Sequence, residues 1–304
     1  MNPARKRAYI DLLIVAVIWG FASPVIKYTL AGFSPAIFLT YRFFISTIVA
    51  IIIIAFTGMK IPKNPKVLGL VILNGFLLST VTLGLLFLGT DKTTSIDANL
   101  ISAMAPIVIA ISGVFFLKEH ITKRESLGML IALGGTLVTI MGPVLKSEVS
   151  FAGLEGNLLV LASVVVGAIT AILAKLVLRD DVDAISATNI SFIVGLITML
   201  PIVFITNPGL NIVNQVAATP FKYHLGVFYM ALASGTLAYF LWHKAEKTIE
   251  VGEVNLLAYL YPIFGAPLAV LWLKEKIDAP FIVGCVVIAI GVFLAEYKKQ
   301  RTTV

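Results

Sequence analysis

Apolar runs long enough to cross a bilayer recur from one end of this chain to the other, and no other feature constrains its fold as tightly. In hydrocarbon a backbone N–H or C=O finds no water, so each such run must satisfy its own backbone as a helix. Ten runs of about 20 residues can be placed, near 9–31, 35–57, 67–89, 95–117, 125–145, 154–178, 184–206, 224–246, 251–273 and 279–297. Of the 304 residues 59% are hydrophobic and 13% charged, and the mean hydropathy is +1.00. Soluble domains carry about 25% charged residues, and one this apolar would not cover its own surface. The first run follows Arg5, Lys6 and Arg7, as a secretory signal would. It continues past Trp19 and Gly20 to Leu30 without a small-residue cleavage site, so it reads as a first membrane helix. The expectation is an all-α integral membrane protein whose surroundings are the lipid bilayer.

The basic residues orient these spans. With both termini on the cytoplasmic side, 16 of the 23 Lys and Arg residues fall on inner segments and 5 on outer ones, leaving Lys27 and Arg42 within spans. Retention of basic residues on the cytoplasmic face is the usual determinant of orientation, so the plasma (inner) membrane with both termini inside is expected. The same sorting explains the net charge of +7 without a nucleic-acid partner. Cys285 is the single cysteine, which excludes an intrachain disulfide and a thiolate metal site. No cofactor is expected.

The chain also contains one stretch twice. Residues 99–135 hold Asn99-Leu100, Pro106-Ile107, Leu117-Lys118-Glu119-x-Ile121, Gly128 and Gly135. A shift of 156 gives Asn255-Leu256, Pro262-Ile263, Leu273-Lys274-Glu275-x-Ile277, Gly284 and Gly291, with 12 identities in 37 positions. Each half, 1–146 and 147–304, then holds five spans. Five is odd, so the second half enters the membrane from the opposite side, and the halves are inverted repeats. A weaker echo sets Gly20 against Gly167, 147 residues on. Inverted repeats can exchange conformations, opening a central cavity to one side and then the other.

The chain resembles the drug/metabolite transporter superfamily, in particular its EamA-type ten-helix members. The resemblance rests on Trp19-Gly20 with Pro24, on Tyr41-Arg42-Phe43, and on the duplicated block from Pro106 to Gly128 and from Pro262 to Gly284. It implies export of small metabolites, amino acids or drug-like compounds through a central cavity, by a monomer or homodimer. It names neither substrate nor coupling ion.

An ionisable side chain mid-membrane costs ~2.5–3.5 kcal/mol on insertion scales, so each needs a reason. Arg42 lies about seven residues into its span, roughly 10 Å deep, and Lys27 and Asp97 lie near the outer ends of theirs. Shared depth predicts that Asp97 pairs with Arg42 or Lys27 to close an outer gate. The plainer reading is that Lys27 snorkels and Arg42 ties backbone carbonyls. The repeat turns Asp97 into Glu253 and brings Lys27 within one position of Lys175, an inner latch or a set of solvated charges. Asp97, Glu253 and His243 are the candidate proton sites.

Ser23, Asn99 and Asn255 are polar groups in apolar helices that must find partners, either a neighbouring helix or a substrate. Trp19, Tyr239, Tyr259 and Tyr261 form an aromatic set for a cavity, and Tyr239 shares a helix face with His243. Trp242, near a helix end, suits the interfacial belt. Pro24, Pro106, Pro262 and Pro267 interrupt spans and read as hinges or kinks. Lys118-Glu119 and Lys274-Glu275 end helices, the glutamate bonding donors of the following turn. Gly134, Gly135 and Gly291 permit close helix contact, within the chain or in a dimer.

Two rival functions make different demands on the sequence. An exchanger of nucleotide-sugars or phosphorylated metabolites would want several cavity cations. An intramembrane enzyme would want clustered carboxylates or histidines, whereas His120, His224 and His243 are scattered. No phosphate loop of the G-x-x-x-x-G-K-[ST] form is present, so the reading is a secondary transporter and not an enzyme.

Overall fold

The computed structural model of the chain describes residues 3–58, 61–117, 123–140, 151–178, 182–209, 211–246 and 257–296. Among these residues the chain is helical, with no strand. Six helices are long and apolar enough to cross a membrane: α1 (Arg5–Leu30), α2 (Pro35–Phe56), α3 (Pro65–Lys92), α6 (Gly153–Ala174), α7 (Ile185–Thr206) and α8 (Phe221–Trp242). Four shorter apolar helices occupy the remaining expected positions: α4 (Ser95–Ile109), α5 (Ser126–Gly135), α9 (Tyr261–Leu273) and α10 (Ala279–Gly291).

Local chemistry starts these helices where the chain leaves the bilayer. Ser34 accepts from the Ile37 amide ahead of Pro35, and Asn64 accepts from Lys66 ahead of Pro65. Thr94 caps α4 by accepting from the Asp97 amide, and Asp183 caps α7. These residues supply acceptors for amides that a first helical turn leaves unpaired. Proline costs nothing at such a start, where its missing N–H is not needed. The long segment after Thr206 is not a plain loop, because Asn211 caps a short helix, Ile212–Ala218.

Several spans are not regular helices. α4 runs over Ser95–Ser102, turns at Ala103 and Met104, and resumes over Ala105–Leu117 just before Pro106. Its repeat mate α9 is preceded by a 3-10 turn, Leu257–Leu260, and begins at Tyr261 with Pro262 in its first turn. Pro106 and Pro262 thus occupy matching positions, each in the first turn of an α-helical segment, and in α4 that segment follows a break. Pro24 lies inside the unbroken α1, and Pro267 is followed by a π-helical segment, Ala269–Leu273. Two further π segments interrupt α3 (Leu77–Thr82) and α8 (Tyr229–Leu237).

The packing obeys an exchange of halves. α2 lies along α7, and α5 along α10. α3 lies on α6 as α8 lies on α1, α4 lies on α6 as α9 lies on α1, and α3 meets α7 as α8 meets α2. Swapping each helix for its repeat mate maps every one of these contacts onto another or onto itself. With ten alternating crossings the mates run antiparallel, which places the pseudo-two-fold axis in the membrane plane.

Polarity is distributed for lipid rather than water. Phe56, Ile197, Phe204, Ile205 and Leu271 are exposed, while Thr29, Arg42, Ser46, Asn99 and Asn157 are buried. Small residues let the buried backbones approach, as membrane interfaces require. A Cβ on Gly291 would lie 2.5 Å from the Gly128 carbonyl oxygen, and one on Gly135 would lie 2.9 Å from the Ile288 amide nitrogen. These two glycines therefore serve the α5–α10 contact, whereas Gly134 faces open space. Cross-half ties hold the ends. Glu275 accepts from the Ser95 amide at 2.8 Å, the Ile96 amide at 3.0 Å and the Ser95 hydroxyl at 3.0 Å. The expected partners of that carboxylate lay in the following turn; it reaches the N-terminus of α4 instead, where anions are favoured. Lys118 and Glu119 lie outside the described residues.

The tightest crossing joins α1, α4 and α9. The Asn99 side chain donates to the Gly20 carbonyl at 3.0 Å. A Cβ on Gly265 would fall 1.7 Å from Asn99 Nδ2 and 2.6 Å from the Gly20 oxygen. Overpacking of this kind costs roughly 1–3 kcal/mol. Gly265→Ala is accordingly expected to lower the unfolding temperature of the purified protein in detergent, while Gly134→Ala leaves it unchanged. Equal stability of the two variants would show that α9 does not press on α1 and Asn99 as described.

Candidate functional site

Trp19 is the centre of an aromatic cluster built by α1, α8 and α9. Its ring lies 5.2 Å from Tyr239, 5.0 Å from Trp242 and 6.2 Å from Tyr261. Such separations and edge-on angles are those that aromatic pairs prefer. The Trp19 indole N–H donates to the Ser234 carbonyl at 3.0 Å, and the Tyr229 hydroxyl donates to the Ile18 carbonyl at 2.7 Å. Both bonds connect α1 to the π segment of α8. π-helical turns in membrane and soluble helices are frequent at functional sites, because they leave carbonyls out of the regular ladder. Trp242, expected in an interfacial belt, is half-buried and tilted at 41° against Trp19. The same helix is further held to α1 by Lys244, which pairs with Asp11 at 2.8 Å.

Arg42 lies next to this cluster and is 1% exposed. Its guanidinium carbon stands 5.7 Å from the Phe43 ring centre and 5.9 Å from that of Phe87. The titratable group acting on it most directly is Tyr239. No described protein group bonds its Nε or Nη1, and the buried Ser46 hydroxyl one helical turn on is likewise without a bonding partner. Cation–π contacts contribute about 0.5–2 kcal/mol, less than the cost of an isolated buried charge. This arginine is not a tether for backbone carbonyls through those nitrogens.

The remaining expected residues fall into separate places. Lys27 donates to the Asp91 carbonyl at 2.6 Å, with Asp91 and Glu275 as its acidic neighbours. Asp97 lies in the first turn of α4, its amide held by Thr94. The described contacts therefore do not bring Arg42 to Asp97. Ser23 is buried on α1, and Asn99 is taken up by Gly20. Glu253 and Asn255 lie outside the described residues, as do the side chains of Lys175, His243 and Tyr259.

At the C-terminal end of α1 lies a second aromatic group with no counterpart in the sequence expectations. Tyr28 stacks on Trp272 at 4.3 Å and meets Tyr223 at 5.3 Å, joining α1, α9 and α8. His224 Nε2 lies 3.1 Å from the Thr219 carbonyl and its Nδ1 lies 3.2 Å from the Tyr41 hydroxyl. A carbonyl can only accept, so Nε2 carries a proton, and in the neutral ring Nδ1 then accepts from Tyr41. An apolar groove of about 530 Å³ between α9 and α10, lined by Ile263, Ala266, Pro267, Leu271, Phe281 and Cys285 among others, offers no charged group and opens toward the lipid-facing surface.

Comparison with known proteins decides the family. The model of the EamA-like transporter family matches residues 6–141 and, a second time, residues 154–297. The chain belongs to the EamA-like transporter family. Among its relatives is the uncharacterized transporter YyaM of Bacillus subtilis (strain 168), 25% identical over 299 residues, covering 95% of this chain and 93% of that one. An uncharacterized transporter of Archaeoglobus fulgidus is 26% identical over 298 residues, covering 96% and 100%. A protein of Escherichia coli (strain K12) named "Probable amino-acid metabolite efflux pump" is 24% identical over 296 residues, covering 96% and 95%. A solved crystal structure superposes with a TM-score of 0.70 at 16% identity, covering 95% of this chain and 96% of that one. The fold is thus that of a multi-pass membrane transporter.

For this transporter the aromatic cluster is the part of the site most exposed to mutation. Trp19→Phe keeps the ring and loses one hydrogen bond, an expected cost of about 0.5–1.5 kcal/mol. Trp19→Ala also empties the centre of the cluster and is expected to cost about 3–5 kcal/mol. Thermal unfolding in detergent should rank them in that order; similar losses for both would mean that the hydrogen bond to Ser234, not the ring packing, carries the cluster.

Proposed function

We propose that the chain is a secondary exporter of small amphipathic metabolites, amino acids among them, working by alternating access in the plasma membrane with both termini cytoplasmic. The observation that carries this reading is the exchange symmetry of the packing, together with Pro106 and Pro262 at matching positions in the first turn of a helical segment in α4 and α9. Two antiparallel halves built alike can trade conformations, so a site between them faces each side in turn. The halves are taken as 1–146 and 147–304. The aromatic cluster around Trp19 suits the apolar part of an amphipathic substrate, and the efflux name of the Escherichia coli relative supports outward transport.

Exchange against protons is part of the proposal, with Asp97, Glu253 and His243 as candidate carriers. A phosphorylated-metabolite exchanger is a weaker reading, because Arg42 is the one fully buried cation among the described residues. The test is reconstitution in liposomes with an imposed pH gradient, using a panel of amino acids and aromatic cations. The proposal predicts flux of at least one member that reverses when the gradient is reversed. Flux of none, or flux indifferent to the gradient, would contradict exporter function or proton coupling respectively.

A further inference from the structure

We propose that Arg42 and Ser46 hold the carboxylate of a monoanionic substrate, in front of Gly235 and beside the aromatic cluster; this rests on the reading of the chain as a transporter of small amphipathic compounds. Arg42 and Ser46 lie on one face of α2, one turn apart, and both are buried, the serine at 0% exposure. Arg42 Nε and Nη1 and the Ser46 hydroxyl are bonded by no described protein group. Across from them, the π segment of α8 presents Gly235. A Cβ built there would lie 3.6 Å from Ser46 Oγ and 3.7 Å from Arg42 Nη2. One point on α8 therefore faces both side chains at van der Waals range, and only a glycine leaves it unfilled.

The chemistry selects an anion. A guanidinium is always charged and offers donors alone, and a hydroxyl can donate as well. Both groups therefore complement an acceptor bearing negative charge, beside the Phe43 and Phe87 rings, which do not compete for it. Charge balance then selects the carboxylate. A single buried cation neutralises one negative charge, and a phosphate dianion would leave a second one uncompensated in an apolar interior. Trp19 lies 5.2 Å from Tyr239, so an aromatic or branched apolar body attached to the carboxylate meets the cluster directly. Arg42 is closed from solvent here, so entry requires the helices to part, as alternating access provides.

The experiment uses the full purified chain in detergent and reads binding by thermal shift, with 3-phenylpropionate, 3-phenylpropionamide and phenyl phosphate as probes at matched concentration. The proposal predicts stabilisation by the carboxylate, little by the amide, and weaker binding of the phosphate. Arg42→Gln should weaken carboxylate binding roughly thirtyfold or more, and Ser46→Ala should weaken it about tenfold. Gly235→Ala removes no charge; its Cβ would also lie 3.1 Å from the Met230 carbonyl oxygen, and it should weaken the carboxylate in protein that still unfolds in one cooperative transition without ligand. An equal response to acid and amide, no response to the acid, or undiminished acid binding by Arg42→Gln would overturn the site; a preference for phenyl phosphate would overturn the carboxylate assignment. Should Arg42→Gln not fold, Ser46→Ala and Gly235→Ala decide, and unchanged acid binding in both overturns the proposal. Binding is read without flux, so a carboxylate that binds but is not carried refutes the transport reading, whereas gradient-driven flux of amine or amide probes with no preference for acids refutes only the site.

Discussion

The structure depends on one constraint: in hydrocarbon, a helix may break only where something else bonds the freed backbone. α4 breaks before Pro106, and within α1 Pro24 has no N–H to pair with the Gly20 carbonyl four residues back. Asn99, carried by the first segment of α4, donates to that Gly20 carbonyl, and Gly265 of α9 presses on both. Glu275, just past the end of α9, in turn accepts the first amides of α4. α4 and α9 are thus each held by a contact from the other half of the molecule. A change in one half cannot leave the other unmoved, which is the mechanical requirement for alternating access.

The two halves share a fold but not all of their chemistry. Asn99 recurs as Asn255, and Glu275 as Glu119, so the residue types that make these ties are present in both repeats. Arg42 has no basic counterpart in α7. The scaffold is symmetric, and the charged group at its centre is not. A transporter needs symmetry to exchange its two faces, but a substrate with one carboxylate needs only one cation.

The spans were legible because bilayer thickness sets a length that composition alone reveals, and caps such as Ser34 and Asn64 mark their starts in the chain itself. The repeat was legible as identities, and with an odd number of spans per half it dictated the antiparallel arrangement. Trp19, Asn99 and Arg42 could be singled out because each is unusual in an apolar helix. What they touch could not be read. The three π segments arise from packing against neighbouring helices and leave no local signature, so the approach of Gly235 to Ser46 was invisible. Ser46 itself looks like any small residue in a membrane helix until its missing bond is seen beside Arg42. Depth along a helix offered Asp97 either Arg42 or Lys27, but depth says nothing of the direction around the helix, and Arg42 lies against the Phe43 and Phe87 rings. The contact of Trp242 with Trp19 could not be read for the same reason.

The central claim is that the space around Arg42 opens to each side of the membrane in turn. Its most direct test is thiol accessibility at position 46, using Ser46→Cys in a Cys285→Ala background with a membrane-impermeant reagent applied to right-side-out and inside-out vesicles. The account predicts labelling from either side in separate experiments, with protection from both by a transported substrate. Labelling from one side alone under every substrate and gradient condition would contradict it.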